Sequence, residues 1–175
     1  MKFHLAALIA ASIVLSSPLN SAEVIEPLQP YVAKVSGSLN EIPAERKAKL
    51  RAAIDYITKK VKGEGTVKLN FICTHNSRRS HLSQVWSQVA AHHYDVKGVE
   101  TFSGGTESTA CNIRTVRVLR RTGLAIVASS GGENPVYLIQ FSEKKLPMKA
   151  FSKIYSEDGN PKEGFAAMMC CADCQ

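Results

Sequence analysis

The chain has 175 residues, of which 45% are apolar, so it can form one globular domain with a real core but not two large ones. Its formal net charge is +7, yet the basic residues are spread along the sequence, without interleaved aromatic residues or a nucleic-acid-binding motif. We therefore expect a solvated basic surface and no nucleic-acid partner.

The first 22 residues are typical of a secretory signal peptide. Lys2 supplies a charged start, an apolar run extends from Leu5 to Leu15, and small residues lead to Ala22. The run is too short to span a bilayer comfortably. We expect cleavage after Ala22, a periplasmic or secreted protein, and no stable membrane insertion after cleavage. An uncleaved anchor is the alternative.

The segment from 23 to 42 contains Pro27, Pro30 and a Ser-Gly-Ser cluster, which predicts a linker or irregular arm. The domain is then predicted over 43–175, beginning with an extra helix over 43–60. Pro43 stands in the first turn of this helix, and glycines follow its end.

The core, predicted over 66–175, alternates β-rich runs with helical patterns. We predict strands at 67–72, 99–102, 124–128, 136–141 and 165–169, helices at 80–93 and 113–122, and a turn at 103–106. Strands that alternate with helices indicate an α/β domain around a central parallel sheet.

A cysteine stands directly after the first core strand. In an α/β sheet, ligands bind beyond the carboxyl ends of strands, where the next helix points its free N–H groups. Backbone N–H groups from Thr74 to Arg79 can there form a nest for a tetrahedral oxyanion, and the same field favours the Cys73 thiolate. Cys73 is thus a candidate nucleophile, and a buried inert cysteine is the alternative.

Three side chains after Cys73 fit this interpretation. The planar fork of Arg79 can hold two oxygens of an anion, Ser80 can donate to the Cys73 sulfur, and Asn76 can fix the loop. Together they form the pattern Cys-x5-Arg-Ser between a strand and a helix. The loop residues predicted to bind the oxyanion are Thr74, His75, Asn76, Ser77 and Arg78.

The chain resembles the low-molecular-weight protein tyrosine phosphatase superfamily and, within it, the arsenate reductases coupled to thioredoxin. The resemblance covers roughly 66–174 and rests on "CTHNSRRS" at 73–80, "SGGTESTACNIRTVRVLRRTG" at 103–123 and "FAAMMCCADC" at 165–174. It implies a flavodoxin-like three-layer fold, a nucleophile at Cys73, an oxyanion clamp at Arg79 and a thiolate stabiliser at Ser80. It also implies a further strand and a closing helix, so we expect the chain to be C-terminally truncated or covered there by another chain.

Three cysteines crowd the end of the sequence, and the resemblance implies that two of them resolve the adduct on the nucleophile. Cys170 or Cys171 would attack at Cys73, and Cys174 would pass the disulfide to an external thiol reductant, a thioredoxin-like protein. A structural disulfide and a zinc site are the alternatives. Cys111 is expected to be a packed or free thiol. We predict no metal and no bound cofactor.

The function predicted from these features is reduction of arsenate to arsenite through a covalent adduct on Cys73. The alternative is a phosphatase that takes phosphate or phosphotyrosine at the same cysteine. The phosphatases use an Asp, usually in Asp-Pro, to protonate the leaving oxygen, and this chain contains no Asp-Pro. A third possibility, from another class, is an inactive or truncated anion-binding domain.

Overall fold

The computed structural model describes residues 23–63 and 65–172, so the predicted signal peptide and Cys174 lie outside the described residues. Within them the protein is α/β, with one three-stranded parallel sheet flanked by helices and one three-stranded antiparallel sheet. The elements follow in this order: α1 Gln29–Gly37, α2 Ala44–Lys49, α3 Arg51–Lys62, β1 Val67–Cys73, α4 Arg79–His93, β2 Val99–Gly105, α5 Ile113–Arg121, β3 Ala125–Ala128, β4 Tyr137–Gln140, β5 Met148–Ala150 and β6 Phe165–Met169.

The parallel sheet has the strand order β2-β1-β6, with β1 in the centre. Cys73 is in register with Gly105 on β2, and Ile72 with Met169 on β6. Because all three strands run in the same direction, their carboxyl ends meet at one edge of the sheet. That edge brings the cysteine of β1 beside the cysteines that follow β6.

Two helices cover this sheet in different ways. Helix α3 packs apolar side chains onto a buried core of Val67, Leu69 and Phe71. Helix α4 instead contacts the edge strand β2 through glutamine side chains. Gln84 Nε2 donates to the Thr101 carbonyl at 3.1 Å, and the Thr101 N–H donates to the Gln88 side chain at 3.1 Å. These bonds satisfy backbone groups that an edge strand would leave open.

The predicted parallel sheet is present, but β3 and β4 do not belong to it. They pair antiparallel with each other, and β4 pairs antiparallel with β5, a strand that the sequence does not predict. Only residues 129–136 join β3 to β4, whereas a parallel crossover needs a dozen or more residues and usually a helix.

The prediction of a linker or irregular arm over 23–42 is also wrong. This segment contains α1 and two short 3₁₀ helices, Glu26–Leu28 and Leu39–Glu41, and its apolar side chains join the larger core beside α4, α5 and the antiparallel sheet. Both prolines of the segment occupy first-turn positions, where a helix needs no N–H donor. Prolines that suggested an arm therefore begin helices. The buried residues are Val24, Ile25, Leu28 and Val32.

The helix predicted over 43–60 is present as two helices, α2 and α3, which meet at Leu50. The helices predicted at 80–93 and 113–122 and the strands at 67–72 and 165–169 are confirmed, with ends that shift by one residue at most.

The turn predicted at 103–106 is wrong, because β2 continues to Gly105. Gly104 and Gly105 instead allow other backbone segments to pack closely against β2. A Cβ at Gly104 would overlap the backbone of Tyr155, and a Cβ at Gly105 would lie 2.6 Å from the Thr74 carbonyl oxygen and 2.7 Å from the Asn76 nitrogen. Gly105 therefore lets β2 touch the loop that follows Cys73.

A Gly105→Ala substitution is expected to lower the free energy of unfolding by about 1–3 kcal/mol, because the new methyl group meets backbone atoms that cannot rotate away. Urea denaturation measures the change. Gly131→Ala is the matched control, since nothing lies within 4 Å of a Cβ built at Gly131. Equal stability losses in the two variants would contradict the close-approach explanation.

Candidate functional site

Cys73 ends β1 at the carboxyl edge of the parallel sheet and is 3% exposed. A cleft of about 160 Å³ opens above it. The walls come from the loop after β1, the first residue of α4 and the segment before α5, and they comprise Cys73, His75, Ser77, Arg78, Arg79, Thr109 and Asn112.

The pKa of the Cys73 thiol lies below its ordinary value. Burial is the largest influence and acts to raise this pKa, but hydrogen bonds together outweigh it. The Ser80 hydroxyl lies 3.0 Å from the sulfur, and backbone groups of Ser80, Ser77 and Asn76 add to its effect. Each of these hydrogen bonds favours the charged form, which is the nucleophilic one.

Asn76 holds this arrangement from inside the loop. It is fully buried, and its backbone adopts the left-handed conformation, with φ of 42°. Its Nδ2 donates to the Ser80 oxygen at 2.8 Å, and its Oδ1 accepts from the Lys153 backbone N–H at 3.0 Å. With its oxygen occupied by Asn76, the Ser80 hydroxyl proton is directed toward the Cys73 sulfur.

The loop carbonyls are bound by residues far away in the sequence. The Ser152 hydroxyl donates to the His75 carbonyl at 2.9 Å, and the Thr109 hydroxyl donates to the same oxygen at 3.2 Å. The Asn112 N–H donates to the Ser77 carbonyl at 3.0 Å. These contacts orient the carbonyls away from the sulfur, so that N–H groups of the loop can turn toward it.

Both arginines of the loop are exposed, and Arg79 lines the cleft above Cys73. A carboxylate stands beside this rim, because His75 Nδ1 lies 3.0 Å from Glu107 Oε2. Among the described residues, none that lines the cleft is an Asp or Glu.

Cys170 and Cys171, the terminal cysteines that the structure describes, both pack against Ile72 and Cys73. The Cys170 N–H donates to the Ile72 carbonyl at 2.8 Å. Burial, the largest influence, raises the pKa of Cys170. The Ser83 hydroxyl lowers this pKa, the charge of Cys73 raises it and that of Arg79 lowers it.

The described cysteines differ in oxidation state. Cys170, Cys111 and Cys73 are free thiols, whereas Cys171 takes part in a disulfide bond and also lies 3.7 Å from the Thr74 hydroxyl. Cys111 is packed in the larger core, as expected, and burial raises its pKa to about 12. Cys170 is therefore the free terminal thiol next to Cys73 among the described residues.

The sequence does not predict that the segment after β5 contributes to the site. Lys153 is 5% exposed, its Nζ stands 4.7 Å from the centre of the Phe151 ring, and burial lowers its pKa to about 8. Ser152 and Lys153 both bind the Cys73 loop, Ser152 by its hydroxyl and Lys153 by its N–H. No motif marks either residue, since their contribution depends on a contact 77 residues away in sequence.

Over residues 23–63 and 65–172, no cluster of three or more His, Cys, Asp or Glu side chains could hold a metal ion. No helix in this part of the chain is long and apolar enough to cross a bilayer. Comparison with family models, curated proteins and solved structures gives no match to the chain.

Proposed function

We propose that the chain reduces arsenate to arsenite, with Cys73 as nucleophile and Cys170 as resolving thiol. The observation that carries the proposal is a cysteine of lowered pKa that packs against a second free thiol directly after the neighbouring strand β6. A flavodoxin-like arrangement is part of the proposal, because the parallel sheet of β2, β1 and β6 with its helices is compatible with that fold.

The chemistry runs in two steps. The Cys73 thiolate attacks arsenic, an S–As bond forms, and one oxygen takes up a proton and leaves as water. The Cys170 thiolate then attacks the Cys73 sulfur, an S–S bond forms, and the S–As bond breaks with its electron pair on arsenic. Arsenic gains two electrons and leaves as arsenite, while the two thiols lose two electrons and become a disulfide.

The charge on Cys73 influences when Cys170 can act as a nucleophile. Burial, the largest influence, raises the pKa of Cys170, and the charge of the Cys73 thiolate raises it further. When Cys73 bonds to arsenic, its negative charge is no longer on the sulfur, and this contribution to the pKa of Cys170 weakens. Cys170 therefore becomes a better nucleophile after the adduct has formed. An external thiol, thioredoxin-like or smaller, would then restore both cysteines.

A phosphatase that uses Cys73 is the second candidate, and the His75–Glu107 pair favours it. At 3.0 Å the carboxylate can hold the His75 ring at the rim of the cleft, where the ring can pass a proton to a leaving oxygen. In this role the pair would protonate the leaving oxygen, as the Asp of Asp-Pro does in the phosphatases.

One turnover with arsenate separates the two functions. Mass spectrometric disulfide mapping is expected to find a Cys73–Cys170 bond after arsenate and not after phosphate. A Cys170→Ser variant is expected to lose arsenate-dependent thiol oxidation to the background rate, because no thiol then resolves the adduct.

Cys111→Ser is the matched control and should keep the activity, since Cys111 is buried in the larger core and is not among the residues that line the cleft. An aryl phosphatase activity that survives Cys170→Ser, together with no disulfide after arsenate, would establish the phosphatase instead.

A further inference from the structure

A second groove shares Arg79 with the cleft above Cys73. It encloses about 580 Å³ between α2, α4 and β6, and Arg79 lines both spaces. The volume is in the range of small-molecule sites. Cys170 lines this groove, whereas Cys73 lines the other cleft. We call this space the Cys170 groove.

The Cys170 groove combines three cations with an apolar floor. Arg46 and Lys49 come from α2 and Arg79 from α4, while the floor includes Phe71 and Met168. Glu45 pairs with Lys49 at 2.6 Å, but both side chains are more than half exposed, and an exposed i,i+4 pair neutralises little of the field. The groove therefore fits a small anion with an apolar or peptide-like body.

We propose that the Cys170 groove binds an anionic low-molecular-weight thiol, one that carries carboxylates, and that this thiol reduces the Cys73–Cys170 disulfide. The inference rests on the proposed function, because that function generates the disulfide. Glutathione, a peptide thiol with two carboxylates, is a suitable probe.

The position of the groove determines which sulfur is attacked. The incoming thiolate attacks Cys170, a new S–S bond forms there, and Cys73 leaves as a thiolate. Cys73 is the better leaving group of the two, since its pKa is lowered while that of Cys170 is raised. A second thiolate then attacks the sulfur of the bound thiol, which leaves as a symmetric disulfide and restores Cys170.

The concave shape of the groove also favours a small thiol over a protein as the reductant. Cys170 is half-buried in the wall of the groove, where a small thiol can reach its sulfur. A thioredoxin-like protein would have to insert its own cysteine between α2 and α4. The structure thus favours the small anionic thiol.

The test begins with the oxidised protein, prepared by one turnover with arsenate and, separately, with diamide. Reduction is followed with glutathione and with cysteamine, a thiol of opposite charge. An Arg46→Gln/Lys49→Gln double variant is expected to slow glutathione about 3- to 10-fold, through the loss of two exposed charge contacts, and to leave cysteamine unchanged or faster. Lys59→Gln/Lys60→Gln is the charge-matched control, on exposed positions of α3 outside the groove.

Mass spectrometry of the quenched reaction is expected to find glutathione on Cys170 and not on Cys73. Equal slowing of both thiols, glutathione on Cys73, or rapid reduction by a thioredoxin-like protein with none by glutathione would each overturn the inference. If arsenate forms no disulfide but the diamide-oxidised protein shows the charge selectivity, the proposed function fails while the groove assignment stands.

Discussion

A Cys73→Ser variant is expected to lose arsenate-dependent thiol oxidation by about 10⁴-fold or more, the scale seen when an enzyme loses its nucleophile. A serine hydroxyl is not ionised near neutral pH, so the loop that stabilises the Cys73 thiolate has no anion to stabilise in the variant. The rate of arsenite release, with a saturating thiol reductant present, measures the effect.

Alkylation gives the same prediction a second readout. Iodoacetamide is expected to modify Cys73 first in the wild-type protein at neutral pH, because the pKa of Cys73 is lowered while burial raises the pKa of Cys111 to about 12 and that of Cys170 above its usual value. Phosphate and arsenate should both protect Cys73. Unprotected alkylation, or alkylation of Cys170 ahead of Cys73, would contradict a thiolate in an oxyanion-binding loop.

An Asn76→Ala substitution is expected to lower the free energy of unfolding by about 2–4 kcal/mol and to slow alkylation of Cys73. The variant loses the bond to Ser80 and leaves the Lys153 N–H without its buried acceptor, and each unsatisfied group costs about 1–3 kcal/mol. Without Asn76 the Ser80 hydroxyl can rotate away from the sulfur, so the pKa of Cys73 rises. Chemical denaturation and the pH dependence of alkylation measure the two effects.

Asp95→Ala is the control for backbone strain, because Asp95 is the other non-glycine residue of left-handed conformation in the described part of the chain, with φ of 53°. The variant also loses the ion pair of Asp95 with Lys97, whose side chain is largely exposed, so this loss is small. The remaining effect is the cost of placing alanine at positive φ, about 1–2 kcal/mol. Asn76→Asp keeps the acceptor for Lys153 but replaces the amide donor to Ser80 with a buried carboxylate, so it should slow alkylation of Cys73 and also lower stability. A loss in Asn76→Ala no larger than that in Asp95→Ala would contradict the network.

The orientation of the backbone groups in the Cys73 loop depends on residues outside the loop. The loop's own residues supply the sulfur, the hydroxyl and the N–H groups, but the carbonyls of the same loop must be bound elsewhere before those N–H groups can face the Cys73 sulfur. Ser152, Thr109 and Asn112 provide these bonds. Gly105 permits the close packing that brings β2 against the loop.

The sequence by itself determined the elements next to Cys73. The apolar run before the cysteine and the helical spacing after it predict β1 and α4, because both signals depend on local periodicity. Cys-x5-Arg-Ser between them indicates a thiolate at a helix start, and the lowered pKa of Cys73 agrees with that. These features are local, so a single sequence carries them.

The tertiary structure decided what distant segments do. Pro27 and Pro30 suggest an arm, yet they begin helices, because the apolar side chains around them pack into a core made by residues more than 50 positions away. The direction of β4 and the separate sheet follow from a connection too short for a crossover. Cys170 and Cys171 both lie beside Cys73, because they follow the strand that pairs with β1, and of these two Cys170 is the free thiol. Such contacts depend on three-dimensional pairing, which local patterns do not encode.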